Sequence, residues 1–253
     1  MISPQTFAPE KDEIRSALSA LRDSQDFQNQ VNGIRKGCFC RDPQNPDYQK
    51  RLHYTKILRR YVYNPALLNA ILMDQDLKQL FFRTFGYAGQ MKFTIYPNAW
   101  LRDLPLLEFG ENVYLADGIV LGTNQVSADQ KCVHVDTIKI GTESTINQQV
   151  SIGYGTHIGV QCLLGFGTVV GMKTKIGNKT VCEAKANIGH RVKIGRDVRI
   201  GQMCFLGNFS IIEDGVRLAP VTVIPPFSLV TKDGRINSIK GKGKLEAAGA
   251  AFI

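Results

Sequence analysis

The sequence lacks a run of apolar residues long enough to cross a membrane. Its more apolar stretches, such as residues 160–170, are interrupted by Gly, Thr and other polar residues, whereas a membrane helix needs about 20 consecutive apolar residues. The first ten residues also lack a basic segment followed by an apolar one, which is the pattern of a secretory signal. The sequence therefore predicts a cytoplasmic protein with no membrane span.

Cysteines and histidines are few and are not spaced as metal ligands. The Cys38-x-Cys40 pair has no second pair at zinc-ligand spacing, so we predict reduced thiols that mostly serve packing and no metal cofactor. The six cysteines are Cys38, Cys40, Cys132, Cys162, Cys182 and Cys204, and the four histidines are His53, His134, His157 and His190.

Acidic residues are fewer than basic ones. There are 31 Lys and Arg against 22 Asp and Glu in 253 residues, for a formal charge of +9. This excess favours acidic partners, namely phosphate-bearing cofactors, an acidic carrier protein, anionic lipid or nucleic acid, and charge alone does not choose among them. The 43% apolar content excludes overall disorder and leaves room for one large domain or two modest ones.

A six-residue repeat dominates the second half of the chain. An aliphatic or similar residue recurs at every sixth position from Ile140 to Ile224, usually followed by Gly, and a small or β-branched residue follows four positions after each. Such a unit predicts a short strand plus a turn, with the aliphatic side chain inward and the small one in a tight corner. Three units make one triangular coil, and stacked coils bury a continuous core.

This pattern resembles the hexapeptide-repeat family, over roughly residues 105–235. The resemblance implies a left-handed parallel β-helix, the fold of many acetyl- and acyltransferases and of gamma-class carbonic anhydrases. It also implies an acyltransferase that takes an acyl group from an acyl-CoA or acyl-carrier thioester to a hydroxyl or amine, and a homotrimer.

The predicted fold class is mainly β, with three segments. Residues 1–88 form a helical N-terminal region, with helices near 10–21, 54–63 and 65–82 and a loop over 38–48. Residues 89–235 form the left-handed β-helix, from which a loop near 123–133 is extruded, since the repeat loses register there. Residues 236–253 form a tail or short helix.

The resemblance also directs the search for a catalytic base. Transferases of this family generally use a histidine that follows a Thr at the start of the extruded loop, and here Asn124 follows Thr123 instead. We therefore predict His134, at the far end of the same loop, as the base, because imidazole titrates near neutral pH. The alternative is that His134 is only a polar residue at a distorted repeat.

Residues 18 positions apart form vertical columns on a three-sided coil. Tyr154 and His190 fall in one column, Lys173 and Arg191 in the next, and His157, Lys175 and Lys193 in a third. Stacked like charges repel, so the columns predict an anion such as the phosphates of coenzyme A or phosphopantetheine, or else a solvated basic face. The predicted cofactor-binding residues are Lys173, Lys175, Arg191 and Lys193, and the predicted substrate-binding residues are Asn124, Tyr154, His157 and His190.

Two other functions remain open. A non-catalytic β-helix scaffold is favoured by Asn124, and a zinc-dependent carbonic anhydrase is disfavoured because no two histidines are five residues apart, as that family has them. The Gly153-x-Gly155 motif follows from the repeat and does not indicate a dinucleotide fold. We expect no nucleic acid as partner and no membrane span, and an acidic carrier protein remains a candidate.

Overall fold

The computed structural model describes residues 10–234 and 236–238, which form a helical region followed by a β-solenoid. The five helices are α1 Lys11–Asp23, α2 Gln25–Val31, α3 Pro46–Val62, α4 Pro65–Met73 and α5 Gln75–Thr84. A 3-10 turn, Leu104–Leu106, precedes the first full coil of the solenoid. No helix within the described residues is both long and apolar enough to cross a membrane.

Side-chain caps set the helix boundaries and correct two sequence expectations. The expected helix over 65–82 is divided into α4 and α5, because the Asp74 carboxylate accepts from the backbone N–H groups of Asp76 and Leu77 and starts a new helix. Helix α3 begins earlier than expected, because Asn45 caps it and Pro46 stands at its first position. The expected loop over 38–48 is therefore partly helix and, at its start, partly strand.

Strands make up the rest of the described chain, in order along the sequence. They are β1 Gly37–Cys40, β2 Phe93–Ile95, β3 Leu107–Phe109, β4 Val113–Leu115, β5 Val120–Gly122, β6 Asn124–Val126, β7 Cys132–Val135, β8 Ile138–Ile140, β9 Thr145–Ile146, β10 Ser151–Gly153, β11 His157–Ile158, β12 Leu163–Leu164, β13 Val169–Val170, β14 Lys175–Ile176, β15 Val181–Cys182, β16 Asn187–Ile188, β17 Lys193–Ile194, β18 Arg199–Ile200, β19 Phe205–Leu206, β20 Ile211–Ile212, β21 Arg217–Leu218, β22 Val223–Ile224, β23 Ser228–Val230 and β24 Ile236–Ser238.

Most of these strands stack into the three faces of a prism. We call the faces sheet B (β2, β4, β9, β12, β15, β18, β21), sheet C (β5, β10, β13, β16, β19, β22) and sheet D (β3, β8, β11, β14, β17, β20, β23, β24). Partners in adjacent coils are 18 residues apart, as Ile158 and Ile176 are. The predicted fold class, a parallel β-helix after an N-terminal helical region, is confirmed.

The repeat residues pack as their chemistry requires. The aliphatic residues form the core, and threonines fill the corners, where the buried Thr174 hydroxyl donates to the Gly189 carbonyl at 3.0 Å. Tyr87 and Phe93 pack against Phe109, so the aromatic core of the helical region continues into the solenoid. The helical region thus caps one end of the prism.

The extrusion is longer and more ordered than expected. In the first full coil Phe109 pairs with Ile140, 31 residues on, which leaves 13 residues beyond the usual 18. Strands β6 and β7 form an antiparallel hairpin that leaves the prism, and β1 from the helical region pairs with β7. We call β1, β6 and β7 the hairpin sheet. At the other end β24 pairs antiparallel with β23, so the expected tail or short helix over 236–253 begins with a strand, and its residues 239–253 lie outside the described part of the chain.

Candidate functional site

The hairpin sheet carries the predicted base. His134 lies on β7 opposite Cys38 of β1 and Gln125 of β6. Its neighbours Val133 and Val135 are buried in the core, whereas His134 is half-buried, so its side chain lies on the other face of the sheet. The imidazole is thus held by three ordered strands and remains within reach of solvent.

Asp136 follows the hairpin directly and is a site residue that sequence reasoning missed. Its carboxylate is only 13% exposed, forms an ion pair with the Lys36 ammonium at 2.8 Å and accepts from the Thr137 backbone N–H at 2.8 Å. Its charge acts to raise the pKa of both Tyr154 and His157, so it lies near both side chains. The only signal in the sequence is its place as the first acidic residue after the extruded loop.

The predicted basic column is present on sheet D. His157 pairs with Lys175, which pairs with Lys193, and on the other side His157 pairs with Lys139. Burial, followed by the charges of Lys139 and Lys175, lowers the pKa of His157, against opposing effects of Asp136 and Glu108. His157 is therefore predominantly neutral at pH 7, as a hydrogen-bond acceptor or a base must be.

The adjoining corner, between sheets C and D, holds the predicted Tyr154, Lys173 and Arg191. The Lys173 ammonium lies 5.6 Å from the centre of the Tyr154 ring, and the Arg191 guanidinium lies 5.8 Å from the centre of the Phe209 ring. Lys173 and Arg191 occupy the same left-handed turn position in successive coils, with φ of 57° and 56°. Burial raises the pKa of Tyr154, and the charge of Arg191 opposes that shift. Two cations thus project from one corner beside a nearly buried phenol.

His190 lies in this corner too, but a structural role accounts for its imidazole. Its Nδ1 accepts from the Met172 backbone N–H one coil below at 3.1 Å, and its own backbone N–H donates to Asn208 Oδ1 at 2.8 Å. Asn178 and Asp214 accept in the same way from the coil below them. Burial lowers the pKa of His190, which suits an imidazole that must keep Nδ1 unprotonated to accept.

Asn124 points elsewhere, toward the helical region. Its amide nitrogen donates to Asp103 Oδ2 at 2.9 Å, and that oxygen also accepts from the Thr123 hydroxyl at 2.5 Å and pairs with the Arg51 guanidinium. Asp103 is 1% exposed. The residue at the position where the family resemblance led us to expect a histidine is therefore engaged in a buried polar network between α3 and the first coil.

The structure thus brings one group of predicted residues together and separates others from it. Tyr154 and His157 lie near Asp136, and Lys173 and Arg191 lie at the same corner as Tyr154. Cys38, which pairs with His134 in register, contributes to the raised pKa of Tyr154. Asn124 does not belong to this group. In residues 10–234 and 236–238, no three His, Cys, Asp or Glu side chains form a group that could hold a metal ion.

Comparison with protein families finds one match. Residues 128–237 match the model of the GMPPB C-terminal domain, which is less than half of the chain. No curated protein is significantly similar in sequence.

Solved structures similar to this chain include acetyltransferases and acyltransferases. A mutant perosamine N-acetyltransferase from Caulobacter crescentus, in complex with CoA and GDP-perosamine, is 18% identical with a TM-score of 0.36, over 64% of each chain. A UDP-N-acetylglucosamine acyltransferase from Arabidopsis is 16% identical with a TM-score of 0.36, over 59% of this chain and 62% of that one.

The acetyltransferase domain of PglB from Neisseria gonorrhoeae, in complex with acetyl coenzyme A, is 16% identical with a TM-score of 0.28, over 58% of this chain and 63% of that one. The chain therefore spans less than two thirds of the length of these structures.

Proposed function

We propose that the chain is an acyltransferase that moves an acyl group from a CoA or carrier-protein thioester to a hydroxyl or amine. The observation that carries the proposal is the set of stacked cations beside the hairpin sheet: Lys173 and Arg191 at the corner, and Lys175 against Lys193 on sheet D. Neighbouring strands lie about 4.8 Å apart, so these cations repel one another. A ligand with several phosphates, such as coenzyme A, offsets that repulsion.

The acceptor and the chemistry belong beside the hairpin. His134 acts as general base and takes the proton from the acceptor hydroxyl or amine as this attacks the thioester carbonyl, and the thiol of the donor leaves. His157 and Tyr154 bind the acyl acceptor, and the lowered pKa of His157 keeps its imidazole available as a hydrogen-bond acceptor at neutral pH.

The carrier protein would be acidic, matching the net charge of +9. Because acyl thioesters are made and used in the cytoplasm, we place the protein there.

The donor proposal is tested by thermal shift with coenzyme A, acetyl-CoA and longer acyl-CoAs. A ligand that binds only the native state raises Tm, and we expect Lys173→Gln and Arg191→Gln to reduce that rise at least severalfold. Lys185→Gln is the matched control, because Lys185 occupies the same left-handed turn position, with φ of 58°, at a different corner. No shift with any thioester would exclude the donor site.

Two variants test whether the protein is an enzyme and which histidine is its base. His134→Ala should abolish turnover of a bound donor without lowering Tm. If His157→Asn abolishes turnover and His134→Ala does not, His157 is the base. The engagement of Asn124 with Asp103 favours the alternative, a β-helix scaffold without catalytic activity. Wild-type protein that neither binds a thioester nor turns one over would support the scaffold.

We also propose that the protein is a homotrimer whose copies meet along sheet C. Val169, Phe205 and Val223 project outward from this sheet in one column, with Asn187 between the first two. Their exposures are 43%, 43% and 64%, and the adjacent turns add Met203 and Val221 at 50% and 62%. Exposed apolar surface of this extent marks an interaction site, and its regular spacing lets identical copies align coil against coil.

A further inference from the structure

The hairpin sheet collects three of the six cysteines on one face. Cys38 and Cys40 lie on β1 and Cys132 lies on β7, and the register places Cys40 opposite Cys132 and Cys38 opposite His134. Alternate residues of a strand share a face, so these side chains all lie opposite the buried Val133 and Val135. Nothing in the sequence predicts this, because β1 and β7 are more than 90 residues apart.

The side chains of two of these cysteines interact. A hydrogen bond between the Cys38 and Cys132 side chains is the main cause of the raised pKa of Cys132. Cys38 and Cys132 are diagonal neighbours on the paired strands β1 and β7. Diagonal residues lie about 7–8 Å apart in a flat strand pair, but the strong twist of a narrow sheet shortens one of the two diagonals. A disulfide needs Cα atoms within about 7 Å. The register places Cys40 directly opposite Cys132, whereas the side-chain interaction with Cys132 favours Cys38 as its partner.

These cysteines are also accessible to solvent. Cys38 and Cys40 are exposed and Cys132 is half-buried, whereas Cys162, Cys182 and Cys204 are buried in the prism. Burial raises the pKa of Cys182 far above its ordinary value, which keeps that thiol unreactive. A reagent in solution therefore meets the thiols of the hairpin sheet first.

We propose that Cys38 and Cys132 are a reversible modification site that closes into an internal disulfide in the presence of a low-molecular-weight disulfide. The Cys38 thiolate attacks one sulfur of the small disulfide, which forms a mixed disulfide and releases one small thiolate. Cys132 then loses its proton to solvent and attacks the Cys38 sulfur, which releases the second. Overall, two protein thiols and one small disulfide become one protein disulfide and two small thiols.

The Cys132 side chain suits the second of these steps. Its interaction with Cys38 raises the pKa of Cys132, which keeps Cys132 protonated while Cys38 reacts. Disulfides in reducing compartments are commonly transient and redox-sensing, which agrees with a pair of which Cys38 is exposed.

The bond would join the helical region to the extruded hairpin beside the candidate site. Strand β1 lies between α2 and α3, and β7 carries His134. Cys38 contributes to the raised pKa of Tyr154, so the modification takes place near the predicted acceptor site. The inference itself needs neither a bound donor nor catalysis, and it stands if the proposed function fails.

The experiment exposes the reduced full-length protein to oxidised glutathione, followed by rapid alkylation, intact mass measurement and non-reducing peptide mapping. We expect wild type and Cys40→Ser to lose two hydrogens and to yield a peptide that links Cys38 to Cys132. Cys38→Ser and Cys132→Ser should form no Cys38–Cys132 disulfide and should retain glutathione on the remaining thiol of that pair. Oxidation should raise Tm by several degrees in wild type and not in Cys132→Ser, because the cross-link restrains the unfolded chain.

Cys40→Ser is the matched control, since it removes a thiol from the same strand and the same face. Mapping of wild type identifies the bonded pair even if a serine variant does not fold. A peptide linking Cys40 to Cys132, or stable glutathione adducts without an internal disulfide, would overturn the assignment. So would protection of all three thiols from alkylation by added Zn²⁺, since that result would identify a metal site instead.

Discussion

A buried carboxylate at the junction of the helical region and the solenoid makes the sharpest prediction for a single residue. Asp103 accepts from Arg51, Thr123 and Asn124 and adopts a left-handed backbone conformation, with φ of 44°. Asp103→Asn keeps a side chain that tolerates this conformation but leaves the Arg51 guanidinium buried without its counter-charge. We expect a loss of about 3–5 kcal/mol in the free energy of unfolding, measured by urea denaturation.

Asp197 provides the control for that measurement. It also adopts a left-handed conformation, with φ of 52°, and pairs with Arg217, but its side chain is 67% exposed. An exposed pair contributes between 0 and about 1 kcal/mol, so Asp197→Asn should change the urea midpoint little. Equal losses in the two variants would mean that the backbone conformation, and not the buried charge, determines the effect.

For single residues, the sequence predicts which side chains stack in columns, but it does not predict hydrogen-bond networks. The alignment of His157, Lys175 and Lys193 follows from the 18-residue coil, because hydrogen-bonded strands keep that register. The role of His190 does not follow, since only the coordinates show its Nδ1 accepting from the coil below. Asp103 has no periodic position that would reveal it, because its partners come from two other segments of the chain, α3 and the pair Thr123–Asn124.

For a single coil, the glycine after the inward aliphatic residue determines how closely the next coil can stack. A Cβ at Gly177 would lie 2.5 Å from the backbone carbonyl of Gly195 in the next coil. Backbone atoms cannot rotate away, so Gly177→Ala must push the coils apart. We expect a loss of about 1–3 kcal/mol or more, seen as a lower Tm.

Gly167→Asn is the control for Gly177→Ala, because it replaces a glycine at a turn where an added Cβ would not meet the backbone of the next coil. Gly167 has a φ of +66°, but a Cβ there would meet only the Lys185 side chain, at 3.6 Å. Gln149, Lys185 and Met203 occupy the equivalent turns with similar positive φ, and Asn tolerates this conformation. Gly167→Asn should therefore leave Tm nearly unchanged, and a large loss there would show that the turns, and not the contact between coils, limit stability.

Between elements, local pairing was predictable from the sequence and remote pairing was not. The solenoid strands pair with the next coil, so a fixed period reveals them. Strand β1 pairs with β7 across more than 90 residues and has no repeat, and its Cys-x-Cys motif gives no information about its partner. The same lack of pattern explains why the loss of register predicted an extruded loop near 123–133 but not the ordered hairpin sheet built on it.

For the whole molecule, the exposed apolar column of sheet C predicts an assembly. Three chains of 28.1 kDa should elute together, with the corresponding mass in size-exclusion chromatography coupled to light scattering. Val169→Glu or Val223→Glu places a charge in the proposed contact, where burial without a partner is costly, so we expect monomers or a severalfold weaker trimer.

Val181→Glu is the control for this experiment, because Val181 holds the equivalent outward position on sheet B, between Leu163 and Arg199. If sheet C is the contact, this variant keeps the wild-type mass, since its new charge faces solvent beside a basic residue. A monomeric wild type would exclude the trimer. If Val181→Glu dissociates and the two sheet C variants do not, the contact lies on sheet B. The corner between sheets C and D, which bears Lys173 and Arg191, would then lie away from any subunit boundary.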